Sequence, residues 1–518
     1  MSRGKAILCG VLAGALAAMA VIFMMLVLAM LGVATPLTII GDRISVFFKP
    51  GPFLALMGRV GGYNHLKQLG VGSTVAGIFV VGIAGGAVLS LLNRQQQTRL
   101  STLMTVTLFV LLPVTLFAVG LWPVLGTNYR GLPINPAGVV TLIGFALCTM
   151  AYERVLVASW RLLSATDAID DQAEFTPSIG RRAMLAGIVG VLLAGGAAAL
   201  VRKLYRTATF SYDGTQYKGA GVQPITPNEE FYCVTKNVID PRVDAAVWHL
   251  EVDGLVQTPR AYRLEEIKSL SAVEQETTLM CISNGLDAGL MSNARWKGVP
   301  MRDLIGQSSP LSDAAKVRLH GVDNYTDTFP LQKAMEPTTL VAYQMNGKPL
   351  PDRHGFPARV IVPGYFGEKH VKWLTRIELA TADAKGFYET QGWGPDFVVP
   401  TRSRVDLPYD NSVVSLSKLT APIEVKGVAY GGDRGISKVE WSFDGGAQWT
   451  EAEIYYSGGD LAWSLWQAPG GWLPSAPGNY VVVARATDGE GEVQDWDPDR
   501  PFTSGVTGLH RITVYVTA

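Results

Sequence analysis

The sequence predicts a multi-domain protein: an all-α transmembrane N-terminal region of about five helices, an α+β domain, and a C-terminal immunoglobulin-like β-sandwich. The 518-residue chain is 48% hydrophobic and only 17% charged, and this average combines two unlike halves. The first two hundred residues contain long apolar runs. The middle mixes short strands with short helices, and the last hundred residues alternate with a period of two between turn signals.

Five apolar runs are long enough to cross a bilayer, which takes about 20 residues. They are 6–34, 71–92, 100–122, 137–160 and 183–201. The basic residues near their ends fit a cytoplasmic location on the positive-inside rule: Arg3, Lys5, Arg94, Arg99, Arg161, Arg181 and Arg182. Five crossings then place everything after residue 201 outside the cytoplasm. The sequence therefore predicts a multi-pass cell-membrane protein whose α+β domain and β-sandwich are extracytoplasmic.

The pair Arg181-Arg182 opens the last apolar run and has two interpretations. It is either a twin-arginine signal for export of a folded passenger or a pair of charges flanking a helix. The adjacent charges Glu153 and Arg154 are expected to reach the membrane interface. A b-type haem needs two axial histidines, and this half contains only His65. We therefore expect no haem in this chain.

The α+β domain is predicted over residues 225–406, after a polar tether at 202–224. Alternating residues 248–252 indicate a strand that turns at Asp253-Gly254. Residues 263–267 indicate a short helix, and the apolar residues 360–362 indicate a buried strand.

The β-sandwich is predicted over residues 419–518, after a shift in composition near Leu419. Four runs alternate with a period of two: 423–428, 438–443, 480–485 and 512–516. A hairpin turn is predicted at Asp444-Gly445-Gly446. Short strands with regular turn signals over about 100 residues are typical of an immunoglobulin-like sandwich. The Cys…Trp…Cys pattern of antibody domains does not occur.

Charge and cysteine content exclude several classes of function. The net charge is zero and the chain has no basic stripe, so nucleic acid is not an expected partner. Cys9 and Cys148 lie in apolar runs, which leaves Cys233 and Cys281 in the remainder of the chain. Because no CxxC pair occurs, a structural zinc or iron–sulfur site is not indicated.

Cys281 has three interpretations from the residues alone: a buried thiol, half of a disulfide with Cys233, or a soft metal ligand. Four motifs surround it or follow it: LMCISN at 279–284, RWKGVP at 295–300, HGFPAR at 354–359 and GEKHVKW at 367–373. Together they supply a thiol, imidazoles and cations. These are the groups that an anionic metal cofactor requires.

These motifs resemble the sulfite oxidase family of molybdopterin-dependent oxidoreductases. The resemblance extends through ITPN at 225–228, FYCVTKN at 231–237 and VAYQMNG at 341–347. It covers most of residues 225–406, and the C-terminal sandwich resembles the family's Mo-co dimerisation domain. The resemblance implies a Mo-molybdopterin cofactor and oxygen-atom transfer at a small sulfur-containing substrate. It also implies a redox partner, either a cytochrome or a quinone-linked protein, and a homodimer.

The resemblance also implies roles for individual residues. Cys281 would be the metal ligand. The pterin contacts would come from Asn237, Asp323, His354 and Arg359, and the terminal phosphate would lie among Lys369, His370 and Lys372. Lys236 and Tyr388 would join Cys281 as catalytic residues.

The substrate position departs from true sulfite oxidases at Ala384, where they carry tyrosine, at Lys236, where they carry arginine, and at Val238, where they carry histidine. Lysine keeps a charge but loses the bidentate donor fork. Weak sulfite turnover is therefore expected, with better activity on a neutral or bulkier sulfur compound. One alternative is a methionine sulfoxide-type reductase fed by a quinol-linked membrane partner. Another is a cofactor-free surface binding module, against which the cysteine and cation motifs argue.

Overall fold

The computed structural model describes residues 3–45, 47–95, 102–121, 130–164, 181–496 and 500–518. The chain divides into two compact units. One comprises Met1–Ser211 and Lys236–Arg242, and the other comprises Tyr212–Thr235 and Val243–Ala518. We call them the helical unit and the β unit.

The helical unit contains eight α-helices in its described residues, with a π-helical turn at Thr107–Leu111 between the fifth and sixth. They are α1 (Arg3–Met30), α2 (Pro36–Ser45), α3 (Pro50–Arg59), α4 (Tyr63–Gln95), α5 (Thr102–Val106), α6 (Leu112–Gly120), α7 (Ile134–Ser164) and α8 (Arg181–Thr207).

Four helical stretches are long and apolar enough to cross a membrane: Gly4–Met30, Tyr63–Leu92, Thr102–Gly120 and Asn135–Ser164. They correspond to four of the five predicted runs. The fifth run, 183–201, lies inside α8, and its role as a span stays a prediction.

Helices α1 and α4 approach closely because glycines face each other. A Cβ atom at Gly10 would lie 2.5 Å from the carbonyl oxygen of Gly86, and one at Gly14 would lie 2.5 Å from that of Gly82. Small residues allow such close backbone contact between apolar helices. Helix α1 also contacts α7 and α8, so it lies at the centre of the helical unit.

Glu153 differs from its expected place at the interface. Its side chain is only 2% exposed, whereas that of Arg154 is 65% exposed. The Thr105 hydroxyl donates to Glu153 Oε1 at 2.7 Å, and Arg154 Nε lies 3.3 Å from Oε2. A hydrogen-bond donor inside the unit therefore keeps this carboxylate among the helices, because a buried charge requires partners.

The first turns of α4 hold the separate segment Lys236–Arg242. Lys67 is buried, and its Nζ donates to the Asn237 carbonyl oxygen at 2.9 Å and to Thr209 Oγ1 at 3.3 Å. Thr209 Oγ1 also donates to the Asn237 oxygen at 2.9 Å. These bonds explain why this short segment belongs to the helical unit.

The first part of the β unit contains ten strands and four short helices. The strands are β1 (His249–Gly254), β2 (Arg260–Arg263), β3 (Val273–Met280), β4 (Met291–Pro300), β5 (Lys316–Gly321), β6 (Thr326–Pro330), β7 (Leu340–Met345), β8 (Lys348–Pro349), β9 (Arg359–Ile361) and β10 (Leu374–Ala380). The helices are α9 (Leu264–Ser269), α10 (Met301–Gly306), α11 (Leu331–Ala334) and α12 (Phe387–Gln391).

These strands form two sheets. One has the order β2-β1-β10-β5-β6 and is antiparallel except where β1 runs parallel to β10. In the other, β3, β4 and β7 are antiparallel neighbours, and β8 and β9 both pair with β7. The predicted strands near 248 and 360 and the helix near 263 are confirmed within one or two residues. The turn predicted at Asp253-Gly254 comes one residue later, since both residues still pair with β10 and the strand ends at Gly254, which has φ +82°.

The C-terminal part contains nine strands in two sheets. They are β11 (Arg402–Leu407), β12 (Ser412–Ser415), β13 (Lys426–Tyr430), β14 (Ile436–Ser442), β15 (Thr450–Glu451), β16 (Glu453–Ser457), β17 (Ser464–Gln467), β18 (Gly478–Asp488) and β19 (Arg511–Thr517). The sheet orders are β11-β13-β17-β16 and β12-β19-β18-β14-β15. Trp466 from the first sheet shares a core with Trp441 and Val482 from the second.

The two sheets sharing one core form a sandwich, while the immunoglobulin-like topology stays a prediction. Strand β11 pairs with β13 and so belongs to the sandwich, although it precedes the predicted start at 419. The composition shift near Leu419 therefore follows the first two strands.

Residues 202–224 differ from the predicted tether. Helix α8 extends to Thr207, and Tyr217 is buried in the β unit with its ring stacked on Trp463, at a centroid distance of 6.2 Å. The Tyr217 amide also donates to the Gly289 carbonyl oxygen at 2.8 Å. Because the Tyr217 ring buries its apolar surface in the β unit, this part of the segment is packed against that unit and is not a free tether.

Candidate active site

Cys281 lies directly after β3 in the β unit, in a core cluster with Tyr232 and Trp296. Its amide donates to the Leu290 carbonyl oxygen at 2.9 Å, and its Sγ lies 3.1 Å from Ser283 Oγ. Burial raises the pKa of the thiol to about 11, and the hydrogen bond with Ser283 opposes this shift. The side chain is therefore a protonated thiol at neutral pH, and metal binding would release its proton.

No disulfide joins Cys233 and Cys281, since both are thiols. The Cys233 thiol donates to the Arg353 carbonyl oxygen at 3.6 Å and accepts from Lys372 Nζ at 3.8 Å. Cys281 instead contacts Ser283. The disulfide interpretation is wrong because each thiol has its own polar contacts.

Arg359 places a buried guanidinium in the β unit. Its Nη1 donates to the His354 carbonyl oxygen at 3.1 Å and its Nη2 to that of His370 at 3.1 Å. Its Nε is buried and has no hydrogen-bond partner among the described residues. Burial lowers the pKa of Arg359 to about 10, so the group stays cationic at neutral pH. An unsatisfied charged donor of this kind suits an anionic ligand.

The two predicted histidines are both buried and neutral at pH 7. His354 Nε2 lies 3.0 Å from the Asn228 carbonyl oxygen, and burial together with the Arg359 cation holds its pKa well below the usual range. Burial lowers the pKa of His370 to about 3. His370 Nδ1 accepts from the Val362 amide and Nε2 donates to the Tyr365 carbonyl oxygen, both at 3.1 Å. A phosphate contact by His370 stays a prediction that this geometry does not favour.

The two predicted phosphate lysines have different surroundings. Lys369 is buried, with Nζ 2.6 Å from Asp327 Oδ1 and 3.6 Å from the centroid of the Phe397 ring. Lys372 Nζ donates to the carbonyl oxygens of Arg353 and Val234, at 3.2 and 3.3 Å. Because these acceptors are uncharged, Lys372 keeps a net positive charge for an anion. The Lys369 charge is already compensated by Asp327.

The other predicted site residues lie in three places. Asp323 is buried and accepts from the Tyr325 amide at 3.2 Å, between β5 and β6. Lys236 and Asn237 belong to the segment of the helical unit held by Lys67. Tyr388 lies on α12 in the β unit.

Tyr388 is close enough to Cys281 to sense its charge. Burial raises the pKa of the Tyr388 phenol, and negative charge on Cys281 or Glu368 would raise it further. Its ring packs against those of Tyr325 and Trp393, at centroid distances of 5.9 and 5.4 Å. Cys281 and Tyr388 thus interact electrostatically within the β unit, while the role of Tyr388 stays a prediction.

Sequence reasoning missed Arg402 and Glu368. Arg402 on β11 donates from Nη1 to the Asn284 carbonyl oxygen and from Nη2 to that of Gly285, both at 2.8 Å, and so fixes the loop after Cys281. Its partners lie more than 110 residues away in the chain, so no local pattern reveals the contact. Glu368 lies inside a quoted motif, but nothing in the sequence shows that its carboxyl group is buried.

The side chains present fit an anionic, metal-bearing cofactor. They combine a thiol for a soft metal with the unpartnered Nε of Arg359 and the charge of Lys372. When bound, such a cofactor supplies the two-electron redox chemistry, and the protein supplies position and charge.

Comparison with known proteins gives the family. Residues 237–388 match the model of the oxidoreductase molybdopterin binding domain, and residues 396–516 match that of the Mo-co oxidoreductase dimerisation domain. The chain is 32% identical over 320 residues to the sulfite oxidase of Gallus gallus, covering 52% of this chain and 68% of that protein. The chain belongs to the sulfite oxidase family. It is an oxidoreductase with a Mo-molybdopterin cofactor, as the resemblance implied.

Two further likenesses agree with this membership of the sulfite oxidase family. The mitochondrial sulfite oxidase of Homo sapiens is 32% identical over 349 residues, covering 57% of this chain and 62% of the human protein. The chain thus spans less than two thirds of that relative. The crystal structure of the sulfane dehydrogenase SoxCD from Paracoccus pantotrophus shares the fold, with a TM-score of 0.51 and 20% identity, over 57% of this chain and 82% of the other.

Proposed function

We propose that this protein is a membrane-anchored enzyme that transfers an oxygen atom to or from a sulfur compound outside the cytoplasm. It would exchange electrons with a cytochrome or a quinone-linked protein. The observation that carries the proposal is the buried Cys281 thiol, in a unit that also holds Tyr388 and the cations of Arg359 and Lys372. Cys281 would be the ligand of the molybdenum.

The preferred substrate in this proposal is a neutral sulfur–oxygen compound rather than sulfite. Lys236 stands where sulfite oxidases carry arginine, so it offers a point charge without the bidentate fork. Losing a charge-assisted hydrogen bond from a dry site costs about 1.5–3 kcal/mol, or roughly ten- to a hundredfold in affinity. In the described part of the site, the Lys369 charge is compensated by Asp327, which further weakens attraction for a dianion.

A second candidate is a methionine sulfoxide-type reductase fed by a quinol-linked membrane partner. The position of Tyr388 near Cys281 favours it, because a phenol can donate a hydrogen bond to an uncharged sulfoxide oxygen. This second candidate is narrower than the first, because it fixes the direction of net electron flow towards the substrate.

Helix directions support the membrane part of the proposal. A Cβ atom at Gly190 of α8 would lie 3.1 Å from Leu16 of α1, and one at Gly196 would lie 3.1 Å from Phe23. Helices α1 and α8 therefore run in the same direction. If α1 crosses the membrane from the cytoplasmic side to the outer side, α8 crosses it in the same direction. This agrees with an extracytoplasmic catalytic domain. The match to a dimerisation domain supports a homodimer.

Steady-state kinetics on the full-length protein in detergent test the proposed function. Sulfite would be offered with an oxidised dye, and a methyl sulfoxide with reduced viologen. We expect kcat/KM to be higher for the sulfoxide, and Cys281→Ser to abolish both activities. Efficient oxidation of sulfite at micromolar concentration would contradict the substrate preference and restore the plain sulfite oxidase assignment.

A further inference from the structure

Glu368 has a carboxyl group whose two oxygens are both buried in the part of the chain that the structure describes. It lies in the 3₁₀ turn Gly367–Lys369 between β9 and β10. Both of its carboxyl oxygens are buried, and neither has a hydrogen-bond partner among the described residues. Buried polar groups are nearly always paired, because an unpaired one costs free energy. A buried carboxyl group without these hydrogen bonds, in a turn close to Cys281, therefore requires an explanation.

The turn that carries Glu368 packs against the segment of Cys281. A Cβ atom at Gly367 would lie 2.5 Å from Tyr232 Oη and 3.7 Å from Cys281 Cα. The Tyr325 hydroxyl donates to the Glu368 carbonyl oxygen at 3.3 Å. The titratable groups that interact with the Glu368 carboxyl group are Lys369, Asp327, Tyr325, Tyr388, Tyr232 and Cys281.

The neighbouring acids already have partners. Asp327 accepts from Lys369 Nζ at 2.6 Å, from the Tyr325 hydroxyl at 2.7 Å and from the Thr328 amide at 2.8 Å. Glu389 accepts from the Gly386 amide at 2.6 Å and from the Thr328 hydroxyl. Of these three acids, only Glu368 has both oxygens available.

The proposed reaction needs a group that handles protons. Reducing a sulfoxide breaks its S–O bond, consumes two electrons and two protons, and gives a sulfide and water. The electrons come from a reduced donor of the quinol or viologen class. In the opposite direction, water supplies the oxygen atom and two protons are released. In either direction, protons must enter or leave a site next to Cys281, which lies in a largely apolar cluster of buried residues.

We propose that Glu368 is the catalytic residue that exchanges protons with the substrate oxygen or with the water derived from it. Burial raises the pKa of this carboxyl group to about 8, with Asp327 raising it further and Lys369 opposing the shift. Glu368 therefore carries a proton at pH 7 that it can donate. The identity of the substrate rests on the function proposed above.

Kinetics of two variants of the full-length holoenzyme test this role. Glu368→Gln keeps the shape of the side chain but cannot ionise, and Glu368→Asp keeps the acid. Loss of a general acid–base group lowers the rate by about 10²–10⁴-fold. We expect such a fall in kcat for Glu368→Gln with KM unchanged, loss of the pH dependence near pH 8, and partial recovery in Glu368→Asp. The control is Glu265→Gln, whose side chain is 81% exposed. Unchanged kcat and pH dependence in Glu368→Gln would overturn the proposal.

Thermal unfolding gives a readout that does not depend on turnover. Because the folded state holds a proton that the unfolded carboxyl group releases at lower pH, stability falls as pH rises from the ordinary carboxyl range to about 8. The Glu368→Gln variant has no carboxyl group at this position and so does not lose stability in this way. Its stability relative to the wild type should therefore increase as pH rises to about 8. Identical pH dependence in the two proteins contradicts a protonated Glu368, whatever the substrate is.

Molybdenum content separates the remaining outcomes. Equal metal in Glu368→Gln and wild type supports the proposal, while loss of metal in the variant overturns it by making Glu368 a cofactor contact. A wild type that turns over neither sulfite nor sulfoxide, but still shows the unfolding difference, contradicts the proposed function and leaves the proton-carrying Glu368 supported.

Discussion

At the scale of single residues, the chemistry of the candidate site depends on which polar atoms still have hydrogen-bonding capacity after the chain has folded. The Cys281 thiol contacts Ser283, whereas the Arg359 Nε and both Glu368 carboxyl oxygens are buried without a hydrogen-bond partner among the described residues. The resemblance to the sulfite oxidase family predicted roles for the first two, whereas Glu368 was only part of a quoted motif. The resemblance could not predict that Arg359 keeps one donor unpaired, because its other donors bind backbone carbonyls that only the fold brings near.

The first prediction concerns Cys281. Cys281→Ser should lose most of its molybdenum while staying folded, because a serine hydroxyl is a harder and poorer ligand than a thiolate. Metal analysis and thermal unfolding would be measured on both proteins. Cys148→Ser makes the same chemical change in α7, where the cysteine is also buried, and should keep its metal. Equal metal in both variants would remove Cys281 from the ligand shell.

The second prediction concerns the buried ion pair of Lys369 and Asp327, whose side chains are 2% and 1% exposed. Asp327→Asn should destabilise the protein by about 3–5 kcal/mol, because it leaves the buried ammonium uncompensated. The double variant Asp327→Asn with Lys369→Met should recover much of this loss in chemical unfolding. If the double variant is stable but lacks molybdenum, Lys369 serves the cofactor as well as the ion pair.

At the scale of elements, long-range contacts connect the sandwich to the loop of Cys281. Periodicity predicted β13, β14, β18 and β19 well, since alternation reports which face of a strand is buried. It could not predict that Arg402 on β11 would reach the carbonyl oxygens at residues 284 and 285. A pattern of burial along one strand does not specify the partner of a single polar side chain.

The third prediction tests this connection. Arg402→Lys should lose one of the two charge-assisted hydrogen bonds to the loop, a cost of about 1.5–3 kcal/mol in the free energy of unfolding. We expect a lower unfolding midpoint and faster loss of molybdenum on dilution. Arg485→Lys is the control, because Arg485 forms a partly exposed pair with Glu440, where pairs contribute about 0–1 kcal/mol. Equal effects of the two changes would argue against a special role for Arg402.

The fourth prediction tests the contact between α1 and α4. A Cβ atom at Gly86 would collide with the Gly10 carbonyl oxygen and lie 2.8 Å from Gly14 Cα. Gly86→Val should therefore cost about 1–3 kcal/mol by overpacking, seen as a lower unfolding midpoint in detergent. Gly77→Val, also in α4, meets no atom within 4 Å and should be tolerated. Similar midpoints for the two variants would contradict close packing at Gly86.

At the scale of the whole molecule, the number of membrane crossings decides on which side the β unit lies. Apolar length predicted the helices, because each must satisfy its backbone internally in lipid. The direction of α8 relative to α1 was inferred from the contacts between the two helices. A periodic pattern in the sequence does not predict such contacts. Four crossings would leave both chain ends on the same side, whereas five place them on opposite sides.

The fifth prediction concerns this topology. Reporters active on only one side of the membrane would be fused after Ser164 and, in a separate protein, after Ala518. If α8 crosses the membrane, the two reporters should lie on opposite sides, with Ala518 outside the cytoplasm. Reporters active on the same side would show that α8 does not cross. Changing Arg181 and Arg182 to lysine in the second fusion would test whether export requires the arginine pair.

The hydrogen bonds from Lys67 and Thr209 to Asn237 also set an order for biosynthesis. Residues 236–242 belong to the helical unit but leave the ribosome after residues 212–235, which belong to the β unit. The helical unit thus completes its contacts only when synthesis of the β unit has already begun. Until then the buried ammonium of Lys67 lacks the Asn237 acceptor. This contact of the helical unit therefore waits for a segment that is translated from within residues 225–406, the predicted cofactor-binding domain.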